Sequence, residues 1–112
     1  MPFAGGRGGM MQGAYLLKPL FCPVKKDIFL DYLEGRKLTE YRLYGPRWNE
    51  STAIPGRRMI VSEGYSGRRI CSRIKNFDLQ LLDNLPFMAK YYPLYVGRLK
   101  SVICINLEIA PW

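Results

Sequence analysis

The chain has 112 residues, a formal net charge of +8 and no histidine. Its length suits one domain, large enough to bury a core and without room for a second. Hydrophobic residues make up 48% of it, which excludes a disordered chain, yet its apolar runs stop well short of the ~20 residues that a membrane span needs.

Met1 to Gly13 is glycine-rich and lacks the uninterrupted apolar stretch of an export signal, so residues 1–13 are expected to be flexible and the protein cytoplasmic. Residues 14–112 then form a single domain. Ala14 to Leu17 suggests a short first strand, broken by Lys18 and Pro19, with Leu20 and Phe21 tucked under the element that follows. Pro23 to Glu34 has a helical pattern. Val24, Ile28, Phe29, Tyr32 and Leu33 share one stripe, and Lys25, Lys26, Asp27, Asp31 and Glu34 lie opposite. Pro23 suits a first helical position, and Gly35 suits the left-handed residue that ends a helix.

From Leu38 the pattern turns extended, so Gly35-Arg36-Lys37-Leu38-Thr39-Glu40-Tyr41-Arg42 marks a helix-to-strand corner. On a strand Glu40 and Arg42 point to the same face, and Lys37, in the turn, can swing towards them. Lys37 offers a point charge for phosphate or a base carbonyl. Glu40 accepts hydrogen bonds from exocyclic amino groups, and Arg42 can clasp phosphate through two N–H groups. The alternative is a buried ion-pair network in which Glu40 and Arg42 pin the corner.

Leu43 to Pro55 has the composition of a long irregular loop. It carries Arg47 and Trp48, suited to phosphate contact and base stacking; otherwise Trp48 closes the barrel end and Arg47 is solvated. Arg58 to Glu63 and Arg68 to Lys75 form two strands joined by Gly64-Tyr65-Ser66-Gly67. Arg69, Cys71, Arg73 and Lys75 alternate with Ile70, Ser72 and Ile74; with Arg57, Arg58 and Arg68 this hairpin carries six cations. They either guide a phosphate backbone beside a cleft or form a solvated sheet face.

Phe77 to Asp83 continues extended, with Phe77, Leu79 and Leu81 on one side. Asn84 to Pro93 is a short helix or turn whose Phe87, Met88, Tyr91 and Tyr92 fit barrel-plug residues better than base platforms. Ser101 to Ile109 is a final strand with Ile103, Ile105, Leu107 and Ile109 facing in.

Cys22, Cys71 and Cys104 lie far apart with no C-x-x-C pair, and without histidine no zinc set is plausible, so neither metal nor cofactor is expected. Cys71 and Cys104 fit small core or subsurface residues. Cys22 has no histidine to serve as its base, which argues against a cysteine nucleophile. The basic excess favours a polyanion through counterion release, and hence RNA or a nucleotide as partner.

The spacing G-x-K-x-x-E-x-R over Gly35 to Arg42, with a helix before it and strands after it, resembles the signature of the ASCH family in the PUA-like superfamily of RNA-associated barrels. The resemblance spans roughly residues 14 to 110. It implies an α/β (α+β) fold, a small β-barrel of five or six strands with one main flanking helix. It also implies an RNA- or nucleotide-binding cleft floored by Lys37, Glu40 and Arg42, with Arg47, Trp48, Tyr65, Arg68, Arg69 and Arg73 around it. A hydrolase is the alternative, either a ribonuclease or an acetylcytidine-type amidohydrolase, with Lys37 and Glu40 catalytic. In the amidohydrolases the motif runs G-x-K-x-x-T; here Glu40 stands at the threonine position, Thr39 faces the other way, and Glu63 or Asp83 is the candidate remote carboxylate. A third reading is a phage or mobile-element accessory protein that binds a protein partner.

Overall fold

The computed structural model describes residues 13–111. Apart from Gly13, the expected flexible start lies outside the described residues. Residues 13–15 are helical rather than extended, with Ala14 buried. The first strand is β1, Leu20–Val24, followed by helix α1, Lys26–Leu33, and by strands β2, Thr39–Leu43, β3, Arg58–Glu63, β4, Arg69–Leu81, and β5, Ser101–Ile109. Three short 3-10 turns, Leu82–Asn84, Pro86–Met88 and Pro93–Tyr95, connect β4 to β5.

The strands form one five-stranded sheet in the order β1-β3-β4-β5-β2. β1 runs parallel to β3 and the other pairs are antiparallel. The sheet curls into a half-barrel, bringing its two edge strands close enough for Arg42 on β2 to donate to the Pro23 carbonyl on β1 at 2.8 Å. Strand twist makes such curling the natural outcome.

The expected strand at Ala14 to Leu17 is therefore corrected: the paired segment begins at Leu20, whose partner in the parallel ladder is Met59. Pro23 belongs to that strand and not to the helix. Its missing N–H is tolerated because β1 is an edge. Helix α1 is consequently shorter than its pattern suggests, and only Phe29 and Tyr32 are buried in it. Leu33 is 52% exposed. Gly35 takes the positive φ of +79° that ends the helix, and the Arg36 and Lys37 amides both donate to the Asp31 carbonyl.

β4 runs on from Arg69 to Leu81, so the extended pattern from Phe77 continues the same strand. Ile74 pairs with Leu107 and Asn76 with Asn106, so a bulge at Lys75 shifts the register. The shift moves the inward face from Ile70, Ser72 and Ile74 to Phe77, with Leu79 next on that face but 47% exposed, as an extra residue must.

The main core fills the inside of the curl with Phe29, Tyr32, Met59, Val61, Ile74, Ile103, Ile105 and Leu107 among others. A second cluster lies on the outer face of β5, where Leu82 and Met88 cover Val102 and Cys104. Both faces of β5 are thereby buried, each large apolar side chain contributing ~1.5–3 kcal/mol. Cys104 is buried as expected, but Cys71 is exposed on the outer sheet face. Trp48 and Ala53 bring the loop after β2 into the main core. No helix among the described residues is long and apolar enough to cross a membrane.

Candidate functional site

Along β2 the side chains alternate. Glu40 and Arg42 sit opposite Ile105 and Ile103 and face the barrel interior, whereas Tyr41 sits opposite Cys104 and faces outward. Glu40 is 5% exposed. Its Oε1 accepts from the Tyr32 hydroxyl at 2.7 Å and its Oε2 from Arg42 Nε at 2.7 Å. A carboxylate so deep requires such partners. Arg42 continues the network, its Nη2 donating to the Pro23 carbonyl oxygen and also reaching Cys22 Sγ at 3.3 Å.

Electrostatics follow from this burial. The Cys22 thiol is pushed up to about 12, first by burial and then by Glu40 beside it. Burial, then Glu40, also hold the Tyr32 hydroxyl well above the ordinary phenol range, so Tyr32 stays a donor. Burial works against the Arg42 cation, but Cys22 and Glu40 outweigh it and keep the guanidinium pKa raised. Burial lowers the Lys37 pKa more than Glu40, Cys22 and Asp31 raise it.

Lys37 differs from its neighbours in having no polar partner of its own among the described residues. Its Nζ lies 4.9 Å from the Tyr41 ring centroid and 5.5 Å from that of Tyr32, and among the described residues it makes no hydrogen bond or ion pair. The rings hold the ammonium by cation–π attraction while its three N–H groups stay available.

A cleft of about 270 Å³ opens at the seam between the edge strands. Lys37, Glu40 and Arg42 line it from the signature, with Tyr41 beside them. Pro23 and Val24 of β1, with Lys25 and Ile28, form a second side. The third side is Phe87, Met88, Tyr91 and Tyr92. Phe87 packs edge-on against Tyr41, centroids 4.8 Å apart at 72°.

The three signature residues thus converge on a hollow as expected, but Glu40 and Arg42 are also the ion pair that pins the corner. The other expected contacts lie elsewhere. Trp48 is 8% exposed and packed in the core, with the Arg42 and Arg47 guanidiniums 4.9 and 5.6 Å from its ring centroid, so it closes the barrel end. Arg47 is exposed and donates to the Phe21 carbonyl. Arg68 pairs with Glu63 at 3.0 Å, its guanidinium 5.2 Å from the Phe29 ring centroid, and Arg73 pairs with Glu108 at 2.9 Å on the outer sheet face. Arg69 and Tyr65 are exposed on the same hairpin and do not line the cleft.

Residues 84–93, whose pattern fits barrel-plug residues, supply aromatics that line the cleft. Met88 and Tyr92 do pack in the second cluster, but Phe87 is 48% and Tyr91 41% exposed. The density of tyrosine and phenylalanine in residues 87–95 is the signal that marks them.

The geometry leaves little for the amidohydrolase set. The Thr39 hydroxyl donates to Asn106 Oδ1 at 2.7 Å, away from the cleft. Glu63 is held by Arg68, and Asp83 accepts from the Gly97 amide, so neither carboxylate lines the cleft. Among the described residues no cluster of cysteines and carboxylates is arranged to hold a metal ion. Compared with protein-family models, with curated proteins and with solved structures, the chain finds no match.

Proposed function

We infer that this is a cytoplasmic, PUA-like domain of the ASCH type that binds RNA or a nucleotide, taking a single nucleotide in the seam cleft. The observation that carries this reading is the Lys37 ammonium, without a hydrogen bond or ion pair among the described residues, beside a buried carboxylate and a wall of Tyr41, Phe87 and Tyr91. A cation supplies a contact for phosphate or a base carbonyl, and aromatic rings supply stacking surface. The volume of about 270 Å³ lies near the lower limit for small-molecule sites, which suits one nucleotide. A net charge of +8 adds long-range attraction for a polyanion.

The test is the affinity of Lys37→Ala and Lys37→Arg for single-stranded RNA and for nucleoside monophosphates. A charge-assisted hydrogen bond of ~2 kcal/mol implies roughly a tenfold loss for Lys37→Ala and a smaller one for Lys37→Arg. Unchanged affinity in folded Lys37→Ala refutes the assignment.

Hydrolysis in the same cleft is the second reading, favoured by the lowered Lys37 pKa, which is what base work by a lysine needs. Turnover of RNA or acylated nucleosides that disappears in Lys37→Ala supports it; turnover indifferent to that change rejects it.

A further inference from the structure

The outer face of β1 carries an aromatic surface that runs on from the cleft. Alternate residues of a strand share a face, so Phe21 and Pro23 project together, about 7 Å apart. Pro23 lines the cleft. Phe21 holds Tyr65 against it, ring centroids 6.1 Å apart and planes at 37°. The Arg69 guanidinium lies 5.2 Å from the Phe21 ring centroid, and Arg47 is tied to the Phe21 carbonyl at 2.8 Å.

Tyr65 is 80% exposed, yet its turn is firmly built. Gly64 adopts φ +68°, and its amide donates to the Val24 carbonyl at 2.9 Å, tying the turn to β1. Gly67 admits no side chain, because a Cβ there would sit 2.3 Å from the Glu63 carbonyl oxygen. A ring presented on a fixed turn loses little freedom when a base stacks on it. Glu63, the one carboxylate between Arg58 and Lys75, is paired with Arg68, so the patch presents net positive charge.

We propose that Phe21, Tyr65, Arg69 and Arg47 form a stacking platform for single-stranded nucleic acid, holding the nucleotide next to the one in the cleft. The position of that first nucleotide rests on the cleft reading above; the platform's own chemistry does not. Aromatic rings receive the base and the two arginines meet the phosphate backbone.

The experiment titrates wild type, Tyr65→Ala, Tyr65→Phe and Lys37→Ala, each confirmed folded by thermal melting, with a nucleoside monophosphate and with a single-stranded hexaribonucleotide of the same base. Tyr65→Ala is expected to weaken the hexanucleotide roughly tenfold while the monophosphate binds as before. Tyr65→Phe restores hexanucleotide affinity, since the ring and not the hydroxyl stacks. Hexanucleotide affinity unchanged in Tyr65→Ala overturns the platform, even if Lys37→Ala weakens both ligands and upholds the cleft. Equal losses of both ligands in Tyr65→Ala also overturn it. If Lys37→Ala affects neither ligand while Tyr65→Ala still weakens the hexanucleotide, the cleft reading falls and the platform stands alone.

Discussion

Arg42 Nη2 donates to the Pro23 carbonyl oxygen at 2.8 Å, although the two residues belong to the two opposite edge strands of the sheet. The same guanidinium holds Glu40 through its Nε at 2.7 Å. One side chain therefore fastens the barrel seam and neutralises the carboxylate buried beneath it. Under the proposed function, this commitment leaves Lys37, which makes no hydrogen bond or ion pair among the described residues, as the signature cation that would meet a ligand.

Arg42→Ala should be strongly destabilising, because it opens the seam and strands a carboxylate that is 5% exposed. Removing one partner of such a buried pair costs about 3–5 kcal/mol. Urea unfolding measures it. A loss below about 1 kcal/mol contradicts the clamp.

Tyr32→Phe removes the 2.7 Å hydrogen bond to Glu40 and nothing else of comparable size. The expected cost is about 1–3 kcal/mol, less than for Arg42→Ala. Both residues serve one carboxylate, so the double variant should be non-additive in a thermodynamic cycle. Additive losses show that the network is not shared.

The lowered Lys37 pKa has consequences of opposite sign for binding and for stability. Its charge is complete below the lowered value, so anion affinity falls as pH rises through it, before the ordinary lysine value of 10.5 is reached. The folded chain gives up this proton earlier than the unfolded chain. In that same window the unfolded state binds more protons, and this group's contribution to stability rises with pH. Affinity measured against pH should show the early fall in wild type and not in Lys37→Arg; identical profiles contradict the assignment.

The three thiols should differ sharply towards an alkylating reagent near neutral pH. Cys71 is exposed and is expected to react. Cys22, with its thiol pushed up to about 12, and Cys104, raised by burial and then by Asp78, should not. Peptide mapping of the native protein identifies the adduct. Rapid labelling of Cys22 would show that the seam opens.

Local signals made the corner legible. Gly35 marks the helix end, and the alternation Glu40, Arg42 places both on one face whatever the rest of the fold does. The hairpin around Tyr65 and the strand from Ser101 to Ile109 are likewise local patterns. What escaped depends on distant partners. Leu20 to Val24 is a strand only because β3 lies beside it in parallel, and without that neighbour its proline resembles a helix start. The bulge at Lys75 is a register event invisible along one chain, so the change of inward face between Ile74 and Phe77 could not be assigned to it. Phe87 and Tyr91 reach the cleft because the turns after β4 fold back over the outer face of β5, a placement that aromatic content alone does not specify. Trp48 could equally be wall or core by composition; the packing of its loop against the main cluster decided for core.

The most direct test of the central claim follows side-chain NMR signals while nucleoside monophosphate and single-stranded RNA are titrated into the native protein. Binding in the seam cleft predicts saturable shifts at Lys37, Tyr41, Phe87 and Tyr91 that vanish in Lys37→Ala. RNA that binds while those four signals stay still, or that does not bind at all, contradicts the account.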